Sequence, residues 1–218
     1  AHCDKYRRVA FTLAEVLITL GIIGVVAAIT LPTLIQNYQK QVWVNQLKKV
    51  INSIENNNRK LLADEEVDSL DDTQLGKFYN NKNESDMQAQ KDELYNYYEK
   101  HFLWRKLGEN TDIYKANDFI SLYSSDGSCI LPQITGGNMY MIDVNCDKAP
   151  NKVGRDRFAL IFNKNGLYSA HWENGIEPTC EEFTEFSGTD EGTVNLYWLF
   201  AGFACTNKII RDGWKMDY

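Results

Sequence analysis

The 218-residue sequence predicts an α+β protein, with a long N-terminal helix followed by a globular head built on an antiparallel sheet of about four to five strands. Three observations lead there. An apolar run over residues 11–35 continues as a three- and four-residue hydrophobic repeat to Leu62, which is the period of one helical face. Beyond Asp118 the period shifts toward two, in short β-branched and aromatic runs separated by turn pairs. Cys129, Cys146, Cys180 and Cys205 then add an even set of cysteines to the head.

The run from Phe11 to Ile35, FTLAEVLITLGIIGVVAAITLPTLI, contains one acid, Glu15, and nothing charged follows from Val16 through Gln39. At about 1.5 Å per helical residue its length matches a bilayer core of roughly 30 Å. Lys5, Arg7 and Arg8 outnumber Asp4 ahead of it, which keeps that flank cytoplasmic and exports the rest of the chain. A cleaved secretory signal would end at a small-residue site, and none interrupts this run before it can span. The expected division is a leader at 1–10, a transmembrane helix at 11–35, its amphipathic continuation at 36–62 and an exported head at 63–218.

A carboxylate inside an apolar helix costs about 2.5 to 3.5 kcal/mol on insertion scales, so Glu15 is a candidate functional residue unless it sits at the hydrated interface. Gly21, Gly24, Ala27 and Ala28 form a small-residue face suited to close helix approach. Pro32 removes one internal hydrogen bond. In the continuation, Trp43, Leu47, Val50, Ile51, Ile54, Leu61 and Leu62 make the apolar stripe, opposite Lys40, Gln46, Lys48, Lys49, Asn52 and Glu55.

Residues 63–85 are acidic and Asn-rich and read as a surface loop with room for a short turn. A second helix is expected over Met87 to Leu107, with Leu94, Tyr97, Tyr98, His101, Phe102, Trp104 and Leu107 on its core face and Gly108 as its stop. Phe119–Tyr123, Cys129–Ile134, Met139–Val144, Phe158–Asn163 and Leu167–Trp172 are the expected strands, punctuated by Asp126-Gly127, Gly136-Gly137 and Asn165-Gly166. A last helix is expected within Val194 to Arg211, stopped by Asp212-Gly213, with Trp214 and Tyr218 packing back.

Cys3 lies in the leader, so four cysteines remain in the exported part and imply two disulfides. Of the three pairings, Cys129 with Cys146 and Cys180 with Cys205 are preferred. The first pair flanks a strand pair and the second ties down the C-terminal segment. No C-x-x-C pair or histidine spacing supports zinc. A net charge of -7 without a basic patch argues against direct nucleic-acid contact. No nucleophile elbow, H-E-x-x-H pair or P-loop is present, so no enzyme is expected. The acidic groups Asp64/Glu65/Glu66 and Glu181/Glu182 read as solvated surface.

One loop carries ligand chemistry. Asp143, Asn145, Asp147, Asn151 and Asp156 place oxygen donors at close spacing, as a calcium site would. The EF-hand glycine and glutamate positions hold Lys148 and Gly154 instead. The same residues equally make a turn-rich connection whose Asp and Asn side chains cap their own backbone. No cofactor is required by either reading.

The segment Arg8-Val9-Ala10-Phe11-Thr12-Leu13-Ala14-Glu15, followed by the long apolar helix, resembles the type IV pilin and type II secretion pseudopilin family. The resemblance implies cleavage by a prepilin peptidase between Ala10 and Phe11, methylation of the Phe11 amine, and pairing of Glu15 with the amino terminus of a neighbouring subunit. Pro32 matches the family's proline, whereas Ala10 stands where glycine is usual. The loop ending at Asp156 and Phe158 is similar to loops in many pseudopilin heads, some of which bind calcium. The implied function is a structural filament subunit. It would be held as a single span in the inner membrane with its head exported, then assembled with other pilins by a membrane platform. The alternative is a single-span anchored domain that binds calcium or another ligand and never polymerises.

Overall fold

The computed structural model describes residues 12–80, 87–107, 119–134, 139–146, 148–169, 180 and 196–218. Helix α1, Leu13–Asp64, runs for 52 residues with Pro32 inside it. A 3-10 turn at Leu70–Asp72 precedes α2, Gln74–Asn80, and α3 spans Met87–Phe102. The strands are β1 (Arg105–Lys106), β2 (Leu122–Tyr123), β3 (Cys129–Pro132), β4 (Met139–Asp143) and β5 (Arg157–Ile161), followed by α4 (Leu196–Arg211). The α+β layout and the antiparallel sheet are those the sequence predicts, with strands in the order β1-β2-β3-β4-β5. By packing, the chain divides into a unit ending at Lys40 and a second unit, Gln41–Tyr218.

Within the second unit the sheet buries both faces, because successive side chains on a strand point to opposite sides. Ile130, Tyr140, Ile142, Phe158 and Leu160 share one core with Trp43, Leu47, Val50 and Ile54 of α1 and with Leu94 and Tyr98 of α3. Leu131, Met141 and Ala159 share another with Phe119, Ala201 and Phe203, beside the Cys129–Cys146 disulfide. Register is set by pairs such as Ile142 with Phe158 and Asp143 with Arg157. Helix α4 lies close on β5: a Cβ on Gly202 would fall 2.8 Å from the Ala159 nitrogen, and the Thr206 hydroxyl donates to the Ala159 carbonyl at 3.0 Å.

Four expectations are corrected. The second helix ends at Phe102, because Leu103 takes a left-handed φ of 58° and turns the chain into β1. Trp104, expected on that helix, is buried beyond its end, and Gly108 lies outside the described residues. The expected loop at 63–85 contains the 3-10 turn and α2, since Leu70 and Leu75 are both buried and give the segment a core contact. The last expected strand, Leu167–Trp172, is reduced to a single bridge between Tyr168 and Phe162, with residues beyond 169 outside the description. The helix α1 stripe also includes Val44 and Asn58, which the spacing argument passed over.

The disulfides are Cys129–Cys146 and Cys180–Cys205, the preferred pairs. The C-terminal stop at Asp212-Gly213 is present. Gly213 has φ 75°, and the N–H groups of Gly213 and Trp214 donate back to Ile210 and Ile209.

Candidate functional site

Residues 13–39 of α1 are exposed throughout, apart from a half-buried Ala27. Among the described residues this is the one helix long and apolar enough to cross a membrane, by length and composition. Two of its hydroxyls bond inside the helix: Thr19 donates to the carbonyls of Glu15 and Val16 at 3.0 and 2.9 Å, and Thr30 to that of Val26 at 2.9 Å. Such back-bonding lets a polar side chain enter an apolar medium without an orphaned donor. A Cβ on Gly21 or Gly24 would meet nothing within 4 Å, so among the described residues neither glycine is needed for packing.

Glu15 has a local structural role that the sequence reading missed. Its Oε2 accepts from both the Thr12 N–H and the Thr12 hydroxyl at 2.8 Å, and the Glu15 N–H donates to Thr12 Oγ1 at 3.3 Å. This is a capping box, and the T-x-x-E spacing of Thr12 and Glu15 was its visible signal. No bond to Oε1 is part of this box. Ala10 and Phe11 lie outside the described residues.

Two carboxylates of the 143–157 loop meet donors of the loop and of Arg157, while the Asn145 Oδ1 is buried with no hydrogen-bond partner among the described residues. Asp143 is fully buried; its Oδ2 meets Arg157 Nε at 2.9 Å and its Oδ1 accepts from the Asn145 N–H at 3.3 Å. Asp156, also fully buried, accepts from the Asn151 and Lys152 N–H groups at 2.8 Å each. A guanidinium and three backbone N–H groups therefore meet Asp143 and Asp156, as in a self-capped turn. Asp147 lies outside the described residues, and among those described no group of three acidic, His or Cys side chains converges. Burial pushes the Asp143 carboxyl up to about 7, and the nearby Asp156 adds to this against the opposing pull of Arg157. Arg157 was missed because a strand residue gives no sign, before the register is known, of which carboxylate it will face.

Other polar groups that sequence reasoning left on the surface hold the head together. Glu65, read as solvated, accepts from the Gln74 N–H at 2.7 Å at the start of α2 and from the Tyr97 hydroxyl at 2.9 Å. Burial, reinforced by that carboxylate, raises the Tyr97 pKa well above its usual value. Glu55 accepts from the Tyr168 N–H at 2.9 Å, and the buried Asn58 donates to the Gly166 carbonyl at 3.1 Å, so α1 grips the 163–168 turn at two points. Gly166 has φ 75° and lies against Asn58, where a Cβ would come within 2.6 Å of the Asn58 Cβ. His101 stacks on Tyr97 at 4.4 Å, at the edge of the core.

Fold and site together define an α+β protein with a long apolar N-terminal helix and a disulfide-closed head. The chain belongs to a family of unknown function, DUF6613, which matches residues 33–218. That match begins just after Pro32, so it rests on the amphipathic half of α1 and the head. No curated protein and no solved structure matches the chain.

Proposed function

We propose that this chain is a structural subunit of a type IV pilus-like or type II secretion filament, processed between Ala10 and Phe11 and assembled through its N-terminal helix. The observation that carries this reading is the exposed apolar surface of residues 13–39, led by a single acid and containing glycines with nothing packed on them. Such a helix is stable in lipid before assembly and offers close contact to neighbouring helices afterwards. Two disulfides in the head accord with export to an oxidising compartment. The partners under this reading are other pilins, the prepilin peptidase, the assembly platform and membrane lipid.

The Thr12–Glu15 capping box favours one competing reading, in which Glu15 only starts the helix of a non-polymerising anchor. Glutamine also completes a capping box, so Glu15→Gln separates the two roles. If Glu15 pairs with a neighbour's amino terminus, E15Q chains insert into the membrane normally but yield no filament. Filaments at the wild-type level would confine Glu15 to capping. Mass analysis of the mature chain gives the second test: a methylated Phe11 terminus is expected, and retention of residues 1–10 would favour the plain anchor.

A further inference from the structure

The half of α1 that packs into the head leaves one long face uncovered. Asn45, Lys48, Lys49, Asn52, Ser53 and Asn56 line an open, shallow groove along it at helical spacing, with no carboxylate among the lining residues. Lys48 stacks over the Trp214 ring at 5.0 Å, whereas Lys49 is exposed and has no ion-pair partner among the described residues. At the end of the same helix, Asp64, Glu66, Asp68, Asp71 and Asp72 are all exposed, and among the described residues none of their carboxylates meets a cation. The two surfaces are complementary in charge but lie on one stretch of chain. Asn52 is about 18 Å along the helix from Asp64, so a straight helix cannot bring them together. A second copy shifted along the axis can.

Resting on the filament reading above, we infer that the lysine- and asparagine-lined face of α1 docks the acidic 64–72 turn of the next copy of this chain. The contact is heterologous: each copy uses one surface above and the other below, so it propagates without closing. The amides hydrogen-bond carboxylates without adding charge, and Lys49 supplies the attraction.

The test uses the full-length chain in cells that assemble it, with sheared-filament yield as readout. Lys49→Glu and the pair Asp68→Lys/Asp71→Lys each create repulsion in every contact and should lower yield about fivefold or more, as expected for exposed charge pairs repeated along a filament. Combining all three substitutions restores opposite charges and should return yield to within about twofold of wild type, since coupled positions do not add. Lys49→Gln should fall between wild type and Lys49→Glu. Single reversals at wild-type yield, or a combination no better than the worse single, would overturn the docking surface while leaving the filament reading intact. A wild-type chain that makes no filament would instead overturn the filament reading and this contact with it. Melting each full-length variant in detergent checks that these exposed sites leave the fold unchanged; a combined variant that melts normally and still fails to assemble counts against the contact.

Discussion

Helix α1 contains two regions that obey different rules. Its first part, to Gln39, buries no side chain, while its second buries Trp43, Val44, Leu47, Val50, Ile51, Ile54, Asn58 and Leu61. The backbone is helical in both, but the second is held by tertiary packing and the first is exposed from Leu13 to Gln39 apart from the half-buried Ala27. In water so much exposed apolar surface would be unfavourable, at about 25 cal/mol per Å². The contrast teaches that one continuous helix can carry an apolar, exposed stretch and an amphipathic stretch whose buried face is matched by the head.

Substitutions can separate the two regions. The largest effects should be reciprocal. Ile22→Arg, a charge in mid-span, should block membrane insertion at a cost of about 2.5 to 3.5 kcal/mol while leaving head melting unchanged. Leu47→Ala should do the reverse, costing about 2–5 kcal/mol in melting through lost contacts and a residual cavity, with insertion retained. Loss of insertion by Leu47→Ala alone would break the comparison. Next, Gly202→Ala should destabilise the head by about 1–3 kcal/mol, because its Cβ would press on the β5 backbone. Gly24→Ala, with open space around it, should leave melting unchanged, and under the proposed filament reading its effect would fall on assembly alone.

A smaller effect should follow pH. The folded Asp143 carboxyl titrates at about 7, above its ordinary 3.8, so between these values the folded state holds a proton that the unfolded chain releases. The associated stability is fully present below about 3.8 and is lost as pH rises through about 7. Melting temperature should therefore fall across that window in the wild type and change less in Asp143→Asn. An equal fall in both would place the titrating group elsewhere. The smallest effect should be that of calcium: with Asp143 and Asp156 already engaged by N–H donors, adding the ion or a chelator should leave the midpoint in place. A clear upward shift with calcium would support the metal reading of the loop.

The candidate site was legible to unequal degrees. The apolar run and the even set of four cysteines could be read directly, because each rests on composition or on spacing along the chain, whereas the cysteine pairing was a choice among three that the fold decides. Arg157 could not be assigned to Asp143 until β4 and β5 were in register, since the pair lies 14 residues apart. Asn58 could not be separated from its asparagine neighbours until the helix was rotated against the 163–168 turn, 108 residues away from its Gly166 partner. Glu65 looked like one of three similar acids, and only the position of α2 and Tyr97 singles it out. The α2 helix itself was missed because its local signal is weak; two buried leucines and a set of side-chain caps define it.

The sequence by itself determined the long helix, the change of hydrophobic period, the antiparallel meander and the split of α1 into apolar and amphipathic halves. These follow from local periodicity, which each segment carries within its own residues. Only the tertiary structure decided that Asp143 and Asp156 meet Arg157 and the loop's own backbone, that both sheet faces are buried, and that among the described residues an amide- and lysine-lined face of α1 stays open. Those outcomes depend on which groups meet across long separations in the chain, and a linear pattern does not specify such meetings until packing sets the register.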